Sequence, residues 1–530
     1  INELIQKRQL LEAFASIKYL EDEAITERDA EKYKDNPQEF VRKSKDVDLL
    51  YNSITNVIQS IVEGTLEHPT VEHTMLISLV TLIAREEAAH PDTGNSAGSG
   101  SDLLGTPRKW REQWRQAIHE SARKRVLRVP MASKEEESSW LELHLGFLQK
   151  QLTEDLLKIK LSVKKCYPEE YQVCNMYVEA FHKAIASHLQ DLCQRPLEFN
   201  ELYTMLDWVA NTYLSECFLG HPNLKPEVKT ENLSLLLTPD DWDRLKKGYI
   251  TSAKEKIKSY FGNILRLEVT EKWEKEVHPE VEENLYHSSL SFDIQTIIGE
   301  HVKISGAISR SLETKMLELC LAELHEFISR FGEEFVAWST VQDSPTFAPY
   351  FAAYVNSFHD LVSGLETAFK VNTEELQKIL AALTRNFTNI FLNKLRTKAQ
   401  VRGSLPLYFP NVRSTCRTAA AVEGHCLSLV SLTRSHFAEL LRDVHKYVVR
   451  EYIVQVIKPR RKMNMETRQQ VSEKMIEEAK ILNNTLIDQG SDSGWLLPAI
   501  HHIANIIGEN RKDKIKEHVM ELCQDYPDIR

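Results

Sequence analysis

The sequence predicts an all-α protein built from long helices in consecutive bundles. Leu, Glu, Lys and Ala are abundant, whereas Gly and Pro number only 18 each among 530 residues, and this balance favours helices over turn-rich β architecture. Apolar residues recur at helical spacing along most of the chain, and no sustained alternation of apolar and polar residues competes with them. Since a single core stops growing at about 250 to 300 residues, more than one packed unit is expected.

Three stretches show an apolar helical face most clearly. They run from Leu202 to Tyr213, from Leu317 to Phe331 and from Val471 to Leu486, with apolar residues three or four positions apart. We therefore expect a buried helix at each of them.

Local signals mark where helices start and where the chain changes direction. Thr238 precedes Pro239 and two acids, and Ser133 with Glu136 forms a capping-box pattern, so a helix is predicted to begin at each place. Tracts richer in Gly, Pro, Ser and Asp predict a mobile loop and three joints. The loop covers 90–107, and the joints cover 220–238, 343–349 and 403–411.

These signals divide the chain into four predicted bundles. They comprise residues 1–128, which include the mobile loop, residues 129–232, residues 233–400, and residues 401–530, which carry a basic surface.

Cysteine usage and hydropathy indicate a soluble protein of a reducing cytosol. The eight cysteines include no C-x-x-C pair and no zinc-ligand spacing with histidine, so neither a disulfide framework nor a metal or cofactor is expected. The longest largely apolar stretch, Thr74 to Ala84, is shorter than the roughly 20 residues that cross a bilayer. Because the chain opens at Ile1 without a methionine, we expect a native segment upstream of it.

The distribution of charge is the most distinctive feature of the sequence. The whole chain carries a net charge of −11, yet residues 376–462 alone carry +12, and no acid lies between Glu375 and Glu423. A second basic stretch, Arg108 to Arg128, contains Trp110 and Trp114, which we expect to pack in a core because they are spaced by one helical turn. The basic tract, residues 376–462, is suited to an acidic protein or an anionic lipid surface.

Two other functions compete with a protein interaction role. His359 and Asp360, with His325 upstream, match the His-Asp pair of all-α metal-dependent phosphohydrolases, but adjacent helix positions diverge and converging ligands are not evident. A nucleic-acid-binding helical protein is also conceivable, although the chain is acidic overall and aromatic residues are sparse among its cations. We therefore expect no nucleic-acid partner.

Two segments resemble a known family. The first reads L-Y-T-M-L-D-W-V-A-N-T-Y over residues 202–213 and continues as G-H-P-N-L over 220–224. The second reads S-G-W-L-L-P over residues 493–498, followed by I-A-N-I-I over 503–507 and Y-P-D-I over 526–529. Both are similar to segments of the exocyst complex component 3 family of vesicle-tethering proteins.

This resemblance implies an elongated rod of helical bundles of the tethering-complex type, without catalytic activity. It also implies a scaffold that promotes membrane protrusion and tunnelling nanotubes together with exocyst subunits and the small GTPase RalA in its GTP form. Such a protein would be cytoplasmic and peripheral at the plasma membrane and its protrusions. It would bind anionic phosphoinositide membranes through a segment preceding Ile1.

Charge selects the candidate partner-binding residues within the basic tract. They are Lys394, Arg396, Lys398, Arg402, Arg413, Arg417, Lys458, Arg460, Arg461 and Lys462. By contrast, Trp208 and the run from Trp495 to Pro498 are assigned to packing, because bulky apolar residues at helical spacing are usually buried.

Overall fold

The computed structural model describes residues 1–68, 70–90, 104–341, 344–401, 420, 422–424, 432–457 and 464–527. Helices dominate these residues, so the predicted all-α class is confirmed. The chain forms two compact units, one comprising Ile1–Ala253 with Ile304–Glu313 and the other comprising Lys254–Lys303 with Thr314–Arg530. The four predicted bundles remain a prediction. No helix in the described ranges is long and apolar enough to cross a membrane.

The first unit is built from helices that follow one another along the N-terminal half of the chain. They are α1 (Asn2–Gln6), α2 (Leu10–Asp29), α3 (Pro37–Glu67), α4 (His73–Ala89), α5 (Trp110–Leu127), α6 (Trp140–Leu161), α7 (Val173–Cys193) and α8 (Phe199–Asp207). Three further helices contribute residues to both units: α9 (Pro239–Leu267), α10 (Leu290–Ile308) and α11 (Arg310–Val341).

Helix α5 lies at the centre of the first core. Trp110 and Trp114 are only 0% and 1% exposed, which confirms that they pack inside. Their indole nitrogens remain satisfied, because Trp110 donates to Thr55 Oγ1 at 3.0 Å and Trp114 donates to the Tyr167 hydroxyl at 3.2 Å. The Phe14 ring meets Trp110 edge-on at 5.5 Å between centroids, a geometry that aromatic pairs favour.

The basic stretch along α5 is largely neutralised within the first unit. Six of its eight cations form ion pairs, mostly with acids of other helices. The pairs are Arg108 with Asp48, Arg111 with Glu87 and Glu170, Arg123 with Glu120, Lys124 with Glu63, Arg125 with Asp155, and Arg128 with Glu67. The positive charge of this stretch is therefore largely compensated by acids, and the stretch does not form a basic surface.

The second unit continues with helices and one small hairpin. The helices are α12 (Phe347–Phe369), α13 (Glu374–Val401), α14 (Arg434–Ile457), α15 (Met465–Asp488), α16 (Leu497–Gly508) and α17 (Lys512–Asp525). Strands β1 (Glu280–Glu282) and β2 (Leu285–His287) pair antiparallel, with Val281 opposite Tyr286. Strand β2 packs against α12.

Aromatic rings fill the core of the second unit around Trp273. This side chain is fully buried, meets Phe331 edge-on at 5.5 Å and donates to the Tyr354 hydroxyl at 2.6 Å. The Tyr354 hydroxyl in turn donates to the buried carboxylate of Glu268, which also pairs with Lys272 at 2.6 Å. A buried carboxylate is tolerated where such partners replace its water.

The structure confirms one of the three predicted helical faces in full, since every apolar member of the face from Val471 to Leu486 is buried in α15. In α11, Leu324, Ile328 and Phe331 are buried. Leu317 and Leu321 of the same predicted face are only half-buried. Leu202 and Tyr213 are buried as well, but the α-helix ends at Asp207 and the chain continues as a π-helix over Trp208–Thr212. Trp208 is buried, as expected for a packing residue.

One of the two predicted helix starts is confirmed, and the other is wrong. The Thr238 hydroxyl accepts from the backbone N–H of Asp241 at 3.1 Å, and α9 begins at Pro239. Ser133 and Glu136 form only a turn, and the next helix, α6, begins at Trp140. The predicted joint at 343–349 is also too long, since α12 begins at Phe347.

Candidate interaction surfaces

The structure describes one side chain among the ten candidate partner-binding residues. Lys394 lies in α13, with its ammonium nitrogen 5.1 Å from the centroid of the Phe347 ring, within reach of a cation–π interaction. Arg396 and Lys398 belong to the same helix by backbone. The other seven fall outside the described residues: Arg402, Arg413, Arg417, Lys458, Arg460, Arg461 and Lys462.

A groove of about 660 Å³ lies between α12, α13 and α14 of the second unit. Its inner wall is apolar, since Phe351, Phe358 and Leu440 line it and are buried. The groove is therefore a concave surface on the part of α13 and α14 that belongs to the basic tract. Concave, mostly apolar clefts are where proteins usually place ligands.

The charges around this groove are mixed. Its cations are Arg385, Arg442 and Lys446, and its acids are Glu366, Glu439 and Asp443. Arg442 also forms an ion pair with Asp492 at 2.8 Å, and this hydrogen-bonded contact raises the pKa of the guanidinium. Within the described part of the basic tract, Arg442 is thus paired with an acid that is distant in sequence, and acids of the tract itself line the groove.

The groove also holds the histidine that motivated a hydrolase hypothesis. The His359 ring meets His436 edge-on at 5.3 Å, and Nδ1 of His436 lies 2.6 Å from the Thr433 hydroxyl. Burial lowers the pKa of His436, and the neighbouring His359 lowers it further. Asp360 points instead to His287, with 3.3 Å between its Oδ2 and the ring Nδ1.

Within the described ranges, no group of three or more His, Cys, Asp or Glu residues is placed to hold a metal ion. Metal-dependent hydrolysis needs about three protein ligands around an open position. His359 and Asp360 consequently find no converging ligands in this part of the chain.

Sequence reasoning misassigned two residues of the run from Trp495 to Pro498, because Pro498 is exposed as well as Trp495. Trp495 was expected in the core, but its residue is 55% exposed, so that assignment is wrong. Its neighbours Leu496 and Leu497 do pack against the apolar cluster of α14, α15 and α16. The physical reason is the backbone: Gly494–Leu496 is a tight 3₁₀ turn, which directs successive side chains to different sides.

Comparisons with known proteins give consistent results. A family model described as "Exocyst complex component Sec6" matches residues 44–400 and 414–530. The human protein "Tumor necrosis factor alpha-induced protein 2" is 26% identical over 510 residues, covering 93% of this chain and 75% of that protein. "Exocyst complex component 3-like protein" of Danio rerio is 24% identical over 575 residues, covering 99% of this chain and 72% of that protein.

A solved structure also shares the fold. The "Crystal structure of M-Sec" superimposes with a TM-score of 0.62 at 23% sequence identity. The match covers 99% of this chain and 90% of that chain.

Proposed function

Because the chain belongs to the exocyst complex component Sec6 family, we propose that it is a non-enzymatic interaction scaffold of the exocyst type. The family match extends over most of the chain, and it confirms the resemblance found in two short segments of the sequence. This match is the observation that carries the proposal. The scaffold would bind exocyst subunits at the cytoplasmic side of the plasma membrane.

We further propose that the scaffold binds RalA in its GTP form and promotes membrane protrusion and tunnelling nanotubes. The support is the similarity to tumour necrosis factor alpha-induced protein 2 and to M-Sec, together with the charge of the basic tract. Residues 376–462 carry +12 in a chain of net charge −11, and such a field steers oppositely charged partners during association.

The docking face on the scaffold would include the ten candidate cations of the basic tract. Lys394 is half-buried, and its ammonium nitrogen lies 5.1 Å from the centroid of the Phe347 ring. The acids that line the groove between α12, α13 and α14, such as Glu439 and Asp443, would discourage a uniformly acidic surface such as a membrane. A protein of mixed charge suits this region better than a lipid headgroup layer.

Binding to RalA tests this proposal directly. The intact chain and the variant K458E/R460E/R461E/K462E are titrated with RalA loaded with a GTP analogue or with GDP. We expect GTP-selective binding by the wild type and a loss of about tenfold or more in the variant, because interfacial charge reversal creates repulsion.

A matched control separates a docking site from a change in total charge. The variant R511E/K512E/K514E/K516E reverses four exposed cations around the start of α17 and is expected to bind RalA like the wild type. Equal weakening by both variants would contradict a specific face. Absence of binding by the wild type would reject RalA as the partner, with circular dichroism confirming that every variant is folded.

A further inference from the structure

An aromatic pair, exposed at Trp495 and half-buried at Tyr526, lies at the C-terminal end of the second unit. Trp495 is 55% exposed, and its ring centroid lies 6.3 Å from that of Tyr526. The Tyr526 hydroxyl donates to the backbone carbonyl of Trp495, which ties the end of α17 to the turn that precedes α16. The two rings therefore form one small surface, hereafter the Trp495 surface.

The backbone turn that carries Trp495 is fixed by packing against the neighbouring helices. Leu496 and Leu497 pack against the apolar cluster of α14, α15 and α16, and Ser493 is fully buried. A side chain at Gly494 would place its Cβ 3.3 Å from Cδ1 of Ile487, so the turn is closely fitted to α15. The indole is thus presented on a fixed base, which lowers the entropic cost of using it in binding.

Four acids lie close to the two rings in sequence. Asp488 and Asp492 precede Trp495 in the chain, and Glu521 and Asp525 precede Tyr526. All four are exposed. Their described ion partners are Arg442, which pairs with Asp492 at 2.8 Å, His502, whose Nε2 lies 2.9 Å from Asp525 Oδ2, and His518, whose Nδ1 lies 3.1 Å from Glu521 Oε2. Four carboxylates outnumber one guanidinium and two imidazoles, so these groups, hereafter the rim, carry net negative charge.

We propose that the Trp495 surface docks a cationic, partly apolar segment of a partner protein. An exposed indole face attracts Arg or Lys side chains through its quadrupole, and it covers their aliphatic stems. The acidic rim pairs with the same cations and repels acidic chains and anionic lipid. This proposal does not rest on the proposed function, because the basic tract would recognise partners of the opposite charge.

A pair of labelled peptides tests the chemistry on the intact chain. One fluorescein-labelled 12-residue peptide alternates Leu and Arg, and the other carries Glu in place of every Arg. We expect saturable binding of the Arg peptide by fluorescence anisotropy, weakening as salt is added, and no binding of the Glu peptide. Binding of both peptides alike would overturn the charge argument.

Matched variants test the location. W495A is expected to weaken Arg-peptide binding by about tenfold or more, as exposed aromatic anchors do, whereas W495F retains an aromatic face and loses less. F292A is the control, because Phe292 is also exposed, at 72%, on α10. Equal binding by W495A and the wild type would overturn the proposal, as would equal losses in W495A and F292A.

A second pair of variants isolates the acidic rim. D488N/E521Q removes two of the four carboxylates of the rim and is expected to flatten the salt dependence of Arg-peptide binding. E333Q/E334Q removes two exposed carboxylates of α11 and is expected to leave it unchanged. The same flattening in both would show attraction to the acidic chain as a whole and would reject the site.

Discussion

Two buried histidines of the first unit contact each other in a geometry that constrains which ring nitrogens carry hydrogens. Nε2 of His144 lies 2.8 Å from Nε2 of His188, and Nδ1 of His144 lies 2.9 Å from the carbonyl of Pro130. Because a carbonyl only accepts, the hydrogen of His144 is on Nδ1 and its Nε2 accepts from His188. The contact between the two Nε2 atoms therefore requires at least one of the rings to be neutral.

Acid is expected to destabilise this pair. Burial, and then the proximity of His144, lower the pKa of His188 to about 4, and burial also lowers the pKa of His144. Since the unfolded histidine titrates near 6.5, its stabilising contribution is present above that pH and is lost as the pH falls towards 4. Allowing for solvent screening, we expect a loss of about 1 kcal/mol in the free energy of unfolding between about pH 7 and pH 5.

Thermal melting at the two pH values measures this loss in the wild type, in H188Q and in H73Q. Glutamine at 188 can still donate to His144 but does not titrate, so the pH-dependent shift in the melting midpoint should shrink. His73 is exposed on α4, and its replacement should leave the shift as it is. An unchanged shift in H188Q would show that the acid sensitivity arises elsewhere.

At the same residue scale, the sequence predicts Trp110 and Trp114 correctly and Trp495 incorrectly. The first two lie one turn apart in a helix, so spacing alone places them on one face with other apolar residues. Trp495 sits in a three-residue 3₁₀ turn, where helical spacing no longer applies. Its exposure depends on contacts with α15 and α17, which no local pattern encodes.

At the scale of elements, buried carboxylates fix the entry of the chain into α5. Glu86 of α4 is 2% exposed, and its Oε1 accepts the backbone N–H groups of Arg108 and Lys109 immediately before α5. Glu21 of α2 accepts the N–H of Gly105 at 2.7 Å. The first N–H groups near a helix start lack internal partners, and here a neighbouring helix supplies an acceptor.

Removing the Glu86 carboxylate should therefore destabilise the first unit. We expect E86A to lower the free energy of unfolding by about 1 to 2 kcal/mol, as the loss of a helix cap does. E87A is the matched control: Glu87 pairs with Arg111 on the surface and should contribute less than about 1 kcal/mol. Urea unfolding of both variants measures the difference, and equal losses would contradict a capping role for Glu86.

Helix starts show how far local sequence determines the elements. Thr238 marks the start of α9 because its hydroxyl reaches a backbone N–H only three residues away. The Ser133 pattern fails, since Lys134 is engaged by Glu198 at 2.8 Å and Glu201 at 3.3 Å. Glu201 instead completes a capping box with Glu198 at the start of α8. Contacts with residues distant in sequence thus override the local capping-box pattern at Ser133.

At the scale of the whole molecule, two basic stretches of similar sequence character have different partners. In the stretch from Arg108 to Arg128, six cations are in ion pairs, mostly with acids of other helices. In the basic tract, Lys378 pairs with Glu375 and Arg442 with Asp492, while most candidate cations lie outside the described residues.

The helical class was predictable because it follows from local periodicity. The groove between α12, α13 and α14 was not, because it joins residues from Phe351 to Lys446.

The difference in ion pairing between the Arg108–Arg128 stretch and the basic tract predicts which of the two steers the association with a charged partner. If the basic tract steers RalA, the association rate should fall by about tenfold between low and physiological salt, because a Debye length of about 8 Å screens the attraction. K458E/R460E/R461E/K462E should flatten that dependence. R123E/R128E should preserve it, because Arg123 and Arg128 are paired with Glu120 and Glu67 and add little to the distant field. Stopped-flow association at several salt concentrations measures the slopes, and equal flattening by both variants would show that total charge controls the encounter.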